Sequence, residues 1–479
     1  MTGSFPPAPA LIAANRFGLG AGPTDLAKMG RDPRSFLRDQ IAKPQATLLN
    51  GANLLASDVV WQRQWKDEET RRREREGAAL LQANAATPKD FSPIKTVADT
   101  KAALPLNSQK AVQDIVLTDE IAERFKCFAT TPTPFVERLV AFWMNHFAIS
   151  IAKGTSVKLL AGALEREAIR PHVLGRFVDM LTAVEQHPAM LIYLDNQQSI
   201  GPNSRAGNKG ARGLNENLAR EIMELHTLGV DGGYTQADVT NFARVISGWT
   251  YTDPGNDEIY GGRFTFAPNR HEPGDIVVLG KTYTENGKKQ GEQVLADFAR
   301  HPSTARFIAR KLATAFVADT PPKPLLDRLE AVFKQTDGDL AALTRALIEA
   351  PEAWNTPPTK IRSPFEFVIA AMRATQMPTN DGFLLGAMAS LGQPFWQPPG
   401  PNGFPNTVAA WVAPEGMSVR LDFASQCAHR AKTPMNPNEL LIAVLGASVS
   451  DETKQAVARA DSREQGIALV LMSPEFQRR

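Results

Sequence analysis

Along most of this chain the apolar residues recur every three or four positions, and prolines and glycines fall mainly between the recurrences. Such spacing lines one face of a helix but would scatter apolar side chains over both faces of a strand. Glu120 to Phe128 and Phe135 to Ile149 read as amphipathic helices separated by the turn TPTP. Residues 156–187 hold one or two more, and Pro188 suits a first helical turn. Helices continue over 289–300, 303–318, 323–335 and 339–350, with Ser303 and Asp339 as N-caps. The last 40 residues read as two packed helices ending in SPEFQRR. The clearest strand signals are Phe264/Phe266 and Ile276 to Leu279, which predict a small β-hairpin within 259–285.

Residues 55–83 predict a helix whose EETRRREREG run has no apolar face, hence a charged arm projecting from the body. A polar, proline-bearing loop follows to 110. The expected fold is therefore mainly α, a multi-helical globular bundle with a minor hairpin and this arm. The chain divides into 1–54, 55–110 and 111–479, with the first and last read as one continuous fold.

Charge and cysteine content exclude several function classes. With 53 basic and 51 acidic residues, no global field favours nucleic acid or an anionic membrane. Two cysteines, Cys127 and Cys427, cannot build a disulfide framework or a Cys-rich zinc site, and they read as free thiols. No apolar run reaches the roughly 18 residues of a membrane span. The start, MTGSFPPAPALIAANRFG, lacks the basic and apolar regions of a secretory signal, so a cytoplasmic location is expected.

The stretch NENLAREIMELHTLGVDGGYTQADV, residues 215–239, concentrates the chemistry. At about 100° per residue, Glu216, Arg220 and Glu224 form a ladder within an arc of roughly 80°. Glu221 lies roughly 60° beyond Glu224, while His226 falls in the apolar arc, where a hydrogen-bonded core role is expected. Gly229 suits a helix end, Gly232 and Gly233 a tight turn, and Thr235 with Asp238 a capping box. VDGGYTQAD lacks the alternating ligands and terminal glutamate of a calcium loop. Gly18-Leu-Gly-Ala-Gly22 does not follow a strand, so it is no dinucleotide fingerprint. AGNKGARG lacks phosphate-loop spacing, although Arg205, Lys209 and Arg212 could close over an anion there.

The signature stretch followed by ARVISGWTY resembles the bacterial domain-of-unknown-function family 1800. ANRFGLG, FWMNHF, the 166–196 segment, HEPGDIVVLGKTY, HPSTARFIARKLATAFV and SPEFQRR agree with it in order, and 55–110 agrees least. The resemblance implies a largely helical fold and little biochemistry. It implies a sulfatase-like protein of family 1501, often encoded alongside, as a partner, and export to the periplasm or cell surface as the alternative location. It carries the family pattern onto Asn215, Glu216, Asn217, Arg220, Glu221, Glu224, Gly229, Arg244, Gly248 and Trp249. The family also accepts an aromatic residue at the His226 position, which leaves His146 of FWMNHF as the better functional histidine.

Three functions are then open. Glu221 and Glu224, near Arg220 and Arg244, could be driven to different pKa values for acid–base hydrolysis, for example of a carbohydrate-like substrate. Trp249, Phe395, Trp396 and Trp411 could stack on sugar rings or fill the core. His146 with Glu221, Glu224 and His271 would make a mixed metal site, although no HExxH is present. Alternatively the charged cluster is a structural hub of a binding or assembly partner of the sulfatase-like protein. The leading catalytic candidates are Glu216, Arg220, Glu221, Glu224, Arg244 and His146. Asn215, Asn217, Trp249, His271 and Lys281 are candidates for substrate contact, with no cofactor or metal assigned.

Overall fold

The structure, a computed structural model, describes residues 9–43, 47–85, 110–207, 213–252, 261–446 and 449–479. The chain is mainly α-helical, with two two-stranded antiparallel sheets among the described residues. Phe264–Phe266 and Ile276–Val278 are strands as expected, but they do not pair with each other. The first pairs with Trp249–Tyr251 and the second with Lys281–Tyr283, across Leu279 and Gly280. Both turn residues have positive φ, as a two-residue hairpin requires. The two-residue turn thus joins Ile276–Val278 to the segment that directly follows it.

At the middle lies the Pro134–His146 helix, apolar on almost every side. Phe17, from the N-terminal segment, meets Phe135 edge-on at 5.6 Å between ring centres, and Phe316 packs against both. Arg16 beside it donates to the carbonyls of Ala353 and Thr356, at 2.6 and 2.8 Å. The Gly18–Gly22 stretch turns the chain here. Gly20 has φ +89°, and a Cβ on it would lie 2.6 Å from Ala370 Cβ, so the turn reaches the Pro364–Thr375 helix only as glycine.

The Ser57–Ala85 helix is anchored through its first turn. Ser57 N–H donates to Glu167, Asp58 pairs with Arg263, and Trp61 meets Tyr251 at 5.1 Å. Further on, residues 72–76 are all exposed, and Leu80 and Leu81 are 66% and 72% accessible. Its ion pairs are i,i+4 pairs such as Asp67–Arg71, worth only a few tenths of a kcal/mol each. Asp339 caps its helix by accepting from Ala342 N–H. Ser303 does not cap the helix predicted over 303–318; His301 does, accepting from Ser303 N–H, because Pro302 occupies the first helical position. Cys127 and Cys427 are free, and no described helix is long and apolar enough to cross a membrane.

Candidate functional site

Three short π-helical turns interrupt the described helices: Ala13–Phe17, Glu165–Ile169 and Ile222–His226. Each carries one extra residue in a helical turn, a device that re-aims side chains and recurs at functional sites. All three fall in the motifs ANRFGLG, REAIRPHV and REIMELH, and all three face the Pro134–His146 helix. After the first, Gly18 O accepts from Arg138 at 3.1 Å. Beside the second, Glu165 and Glu137 both bind Arg170. From the third, His226 O accepts from His146 Nε2 at 3.1 Å. The displaced carbonyls find new donors, such as Thr227 Oγ1 to Ile222 O at 2.6 Å.

The signature helix runs over Asn217–Glu221 and continues into the third π-turn. Asn215 fixes its start, donating to Asp195 O and accepting from Asn217 N–H. Glu216 accepts from Thr240 at 2.7 Å, Gln236 at 2.8 Å and Arg220 at 3.2 Å, which together hold its carboxyl below the usual range. The capping box forms as expected, Thr235 with Asp238. What it sets against Glu216, however, is Gln236 and Thr240 rather than Arg244, which bonds Asn241 at 3.0 Å. Arg220 also lies 3.6 Å from Glu224. Glu221 is half-buried and makes no hydrogen bond among the described residues. Burial, with Glu224 beside it, raises its carboxyl against the opposing pull of His226 and Arg220. Asn215, Glu216 and Asn217 line a shallow open depression at the surface.

The other expected residues are placed apart from this ridge. His146 is fully buried, and burial drives its imidazole well below the usual range, so it is neutral. His226 is also fully buried, and its Nδ1 lies 2.8 Å from Glu185, which is itself inaccessible. His271 is buried with Nδ1 on Ser247 O. Trp249 is inaccessible in strand β1 (Trp249–Tyr251), edge-on to Phe264. Lys281 is exposed and pairs with Asp297 at 2.5 Å. The alternative of a metal site built from His146, Glu221, Glu224 and His271 finds no support: among the described residues no group of three such ligands could hold an ion. Of the basic loop, residues 208–212 lie outside the described residues.

The polar chemistry that sequence reasoning missed lies on the central helix itself. Arg170 grips Glu137 through two bonds of 2.8 and 2.7 Å and Glu165 at 2.7 Å. Arg124 binds Glu165 at 2.9 Å and Glu120 at 2.6 Å, and Arg166 binds Glu120 at 2.7 Å. This network of three arginines and three glutamates is almost entirely buried. Burial alone would raise the Glu165 carboxyl; Arg124 and Arg170 outweigh it and lower it. A second network surrounds Glu366, which accepts from Arg138, from Arg479 at 2.7 Å and from Ser363 N–H at 2.9 Å. Against the push of burial, Arg138 and Arg479 bring the Glu366 carboxyl down to about 2.

Between these two networks is a cavity of about 130 Å³. Phe142, Phe316, Phe365, Phe395, Trp396 and Phe404 give it aromatic walls, and Arg138, Asn145, Glu165, Ser363, Glu366 and Gln393 supply polar groups. Its cover is the Pro/Gly/aromatic loop after residue 392. Asn145, the asparagine of FWMNHF, holds that cover through two bonds to Phe404, 2.9 Å to the carbonyl and 2.8 Å from the N–H. Gly403 must be glycine for this: its φ is +76°, and a Cβ would lie 2.4 Å from Asn145 O. Trp396 adopts φ +52°, rare for a bulky residue, with its carbonyl on Ile151 N–H and its ring under the Arg124 guanidinium at 4.5 Å. One sequence signal did point here. Glu137 and Arg138 are adjacent charges inside the run FVERLVAFWM, and a charge in an otherwise apolar helix must find a buried partner.

No curated protein and no solved structure matches the chain. A family model described as "Protein of unknown function (DUF1800)" matches residues 12–478, a span that takes in all three π-turns, the cavity and both ion networks except Arg479. The chain belongs to this DUF1800 family.

Proposed function

We propose that this protein binds a small, predominantly apolar molecule in the cavity between the central helix and the 392–411 loop. The observation that carries this is a partly enclosed void with aromatic walls and a few convergent polar groups, the usual make-up of a small-molecule site. An apolar cavity of roughly 150 Å³ is enough to admit benzene. Benzene, toluene and benzyl alcohol are therefore expected to bind with Kd of about 1 mM or tighter, read by ligand-detected NMR and by a rise in melting temperature. Ala141→Phe, which fills the cavity from its wall, should abolish the binding. Binding that survives this substitution, or no binding of any of the three, would refute the reading.

A second reading has its own observation. Glu221 is a half-buried carboxyl whose protonated form is favoured by burial, beside a second carboxylate, Glu224. A raised carboxyl is what a general acid requires, and it supports hydrolysis of a carbohydrate-like substrate at the signature helix. Glu221→Gln should lower any turnover found in a panel of nitrophenyl glycosides and esters by about a hundredfold or more. Because the charged form of Glu221 is the disfavoured one, the same variant should melt at an equal or higher temperature. An unchanged rate would remove Glu221 from the mechanism.

A further inference from the structure

The cavity's polar groups differ in what they have left to offer. Both carboxylates on its wall are fully engaged, Glu165 by Arg124 and Arg170, and Glu366 by Arg138, Arg479 and Ser363 N–H. Asn145 is engaged at both ends by Phe404. The unused capacity consists mainly of donors. Gln393 accepts from Phe365 N–H through Oε1, which leaves its NH₂ without a partner among the described residues. The Ser363 hydroxyl accepts from Glu366 N–H and donates to nothing described. Arg138 uses Nη1 and Nη2, and its Nε–H makes no bond among the described residues. Asn406, also on the wall, keeps both an acceptor and a donor. A ligand that satisfied the unused groups would present acceptor atoms.

The charge behind the wall points the same way. Arg138, Arg362, Arg420 and Arg479 are buried together with Glu366 as their one carboxylate partner. Among the described residues, four positive charges against one leave three uncompensated. Lys360 beside them is already matched by Asp319 at 2.6 Å. Buried Nη1 atoms of both Arg362 and Arg479 have no hydrogen-bond partner among the described residues. Burial, with the neighbouring guanidiniums, lowers Arg138 to about 9 and Arg362 to about 10. The network around Glu165 is neutral, so it does not offset this field.

We infer that the ligand of this cavity is a small carboxylate, its apolar body between Phe142, Phe316 and Phe395 and its carboxylate taken by Arg138, Ser363 and Gln393. The inference rests on the cavity being a binding site, and the test separates the two. Benzoate and benzyl alcohol are nearly equal in size and differ in charge. Isothermal titration should show benzoate binding about tenfold or more tightly than benzyl alcohol, as expected for charge-assisted bonds over neutral ones. Gln393→Glu keeps an acceptor for Phe365 N–H but replaces the free donor with negative charge. It should weaken benzoate by about tenfold or more and leave benzyl alcohol within about twofold. Ala141→Phe should remove both ligands. Equal affinity for the two probes, or equal loss of both in Gln393→Glu, overturns the carboxylate assignment while leaving the cavity reading intact. Failure of both probes to bind, or benzoate binding that persists in Ala141→Phe, overturns both.

Discussion

Arg170→Met is expected to lower the unfolding free energy by about 3–5 kcal/mol, enough to unfold a marginal protein. The guanidinium is inaccessible to water and serves Glu137 twice, Glu165 once and Thr47 O once. Removing it deletes these bonds and, more importantly, strands the Glu137 carboxylate in the interior and leaves Glu165 to Arg124 alone. The second effect dominates, because a buried charge without its partner keeps its desolvation penalty and loses the compensation. The distinction can be measured. Arg170→Met/Glu137→Leu removes one of each charge and should recover a large part of the loss in urea titrations. A single-variant loss below about 1 kcal/mol would mean that water reaches the network and that it is not the hub its geometry indicates.

The second large effect is on acid stability, through Glu366. Its folded-state pKa of about 2 lies below the roughly 4.3 of an unfolded glutamate. A carboxyl lowered in this way stabilises the fold fully above its unfolded pKa, and the contribution is lost as pH falls through the folded value. The window runs from pH of about 4.3 down to about 2, and the amount is on the order of 3 kcal/mol. Glu165, also lowered, adds to the same loss. In Glu366→Gln this dependence should flatten between pH of about 4.3 and about 2, while stability at neutral pH falls because Arg138 and Arg479 lose their shared carboxylate. An unchanged slope in that variant would assign the acid sensitivity to other carboxylates.

Much of the architecture could be read from residue spacing, because amphipathic helices record their period directly. The capping box at Thr235 and the cap at Asp339 were visible for the same reason: a cap is a contact over three residues. The hairpin pairing was not, because Phe264–Phe266 found its partner beyond its own turn, at Trp249–Tyr251. The candidate site divides similarly. The Glu216–Arg220–Glu224 ladder is a local, i,i+4 feature and forms as a wheel diagram indicates. The expectation that Arg244 would lie near Glu221 and Glu224 depended on how two helices dock, and it is Gln236 and Thr240 that meet Glu216. Glu185, the partner of His226, is 41 residues away from it, and Glu366 lies 228 residues from Arg138. Nothing in the periodicity of either segment announces such pairs. What could be seen was half of each: a histidine on an apolar arc, and Glu137-Arg138 in an apolar helix.

The three π-turns bear on how sequences of this kind are compared. Each holds one residue more than a regular turn, so the faces assigned before residues 13, 165 and 222 fall out of phase with those assigned after them. A relative that lacked one of these extra residues would differ by a single gap, which in a helix looks like an alignment error. Here that gap would rotate Phe17, Arg170 or the Glu185-bound His226 away from the central helix. Gap placement at these three points is therefore a structural statement, and the two sides of each turn have to be put in phase separately.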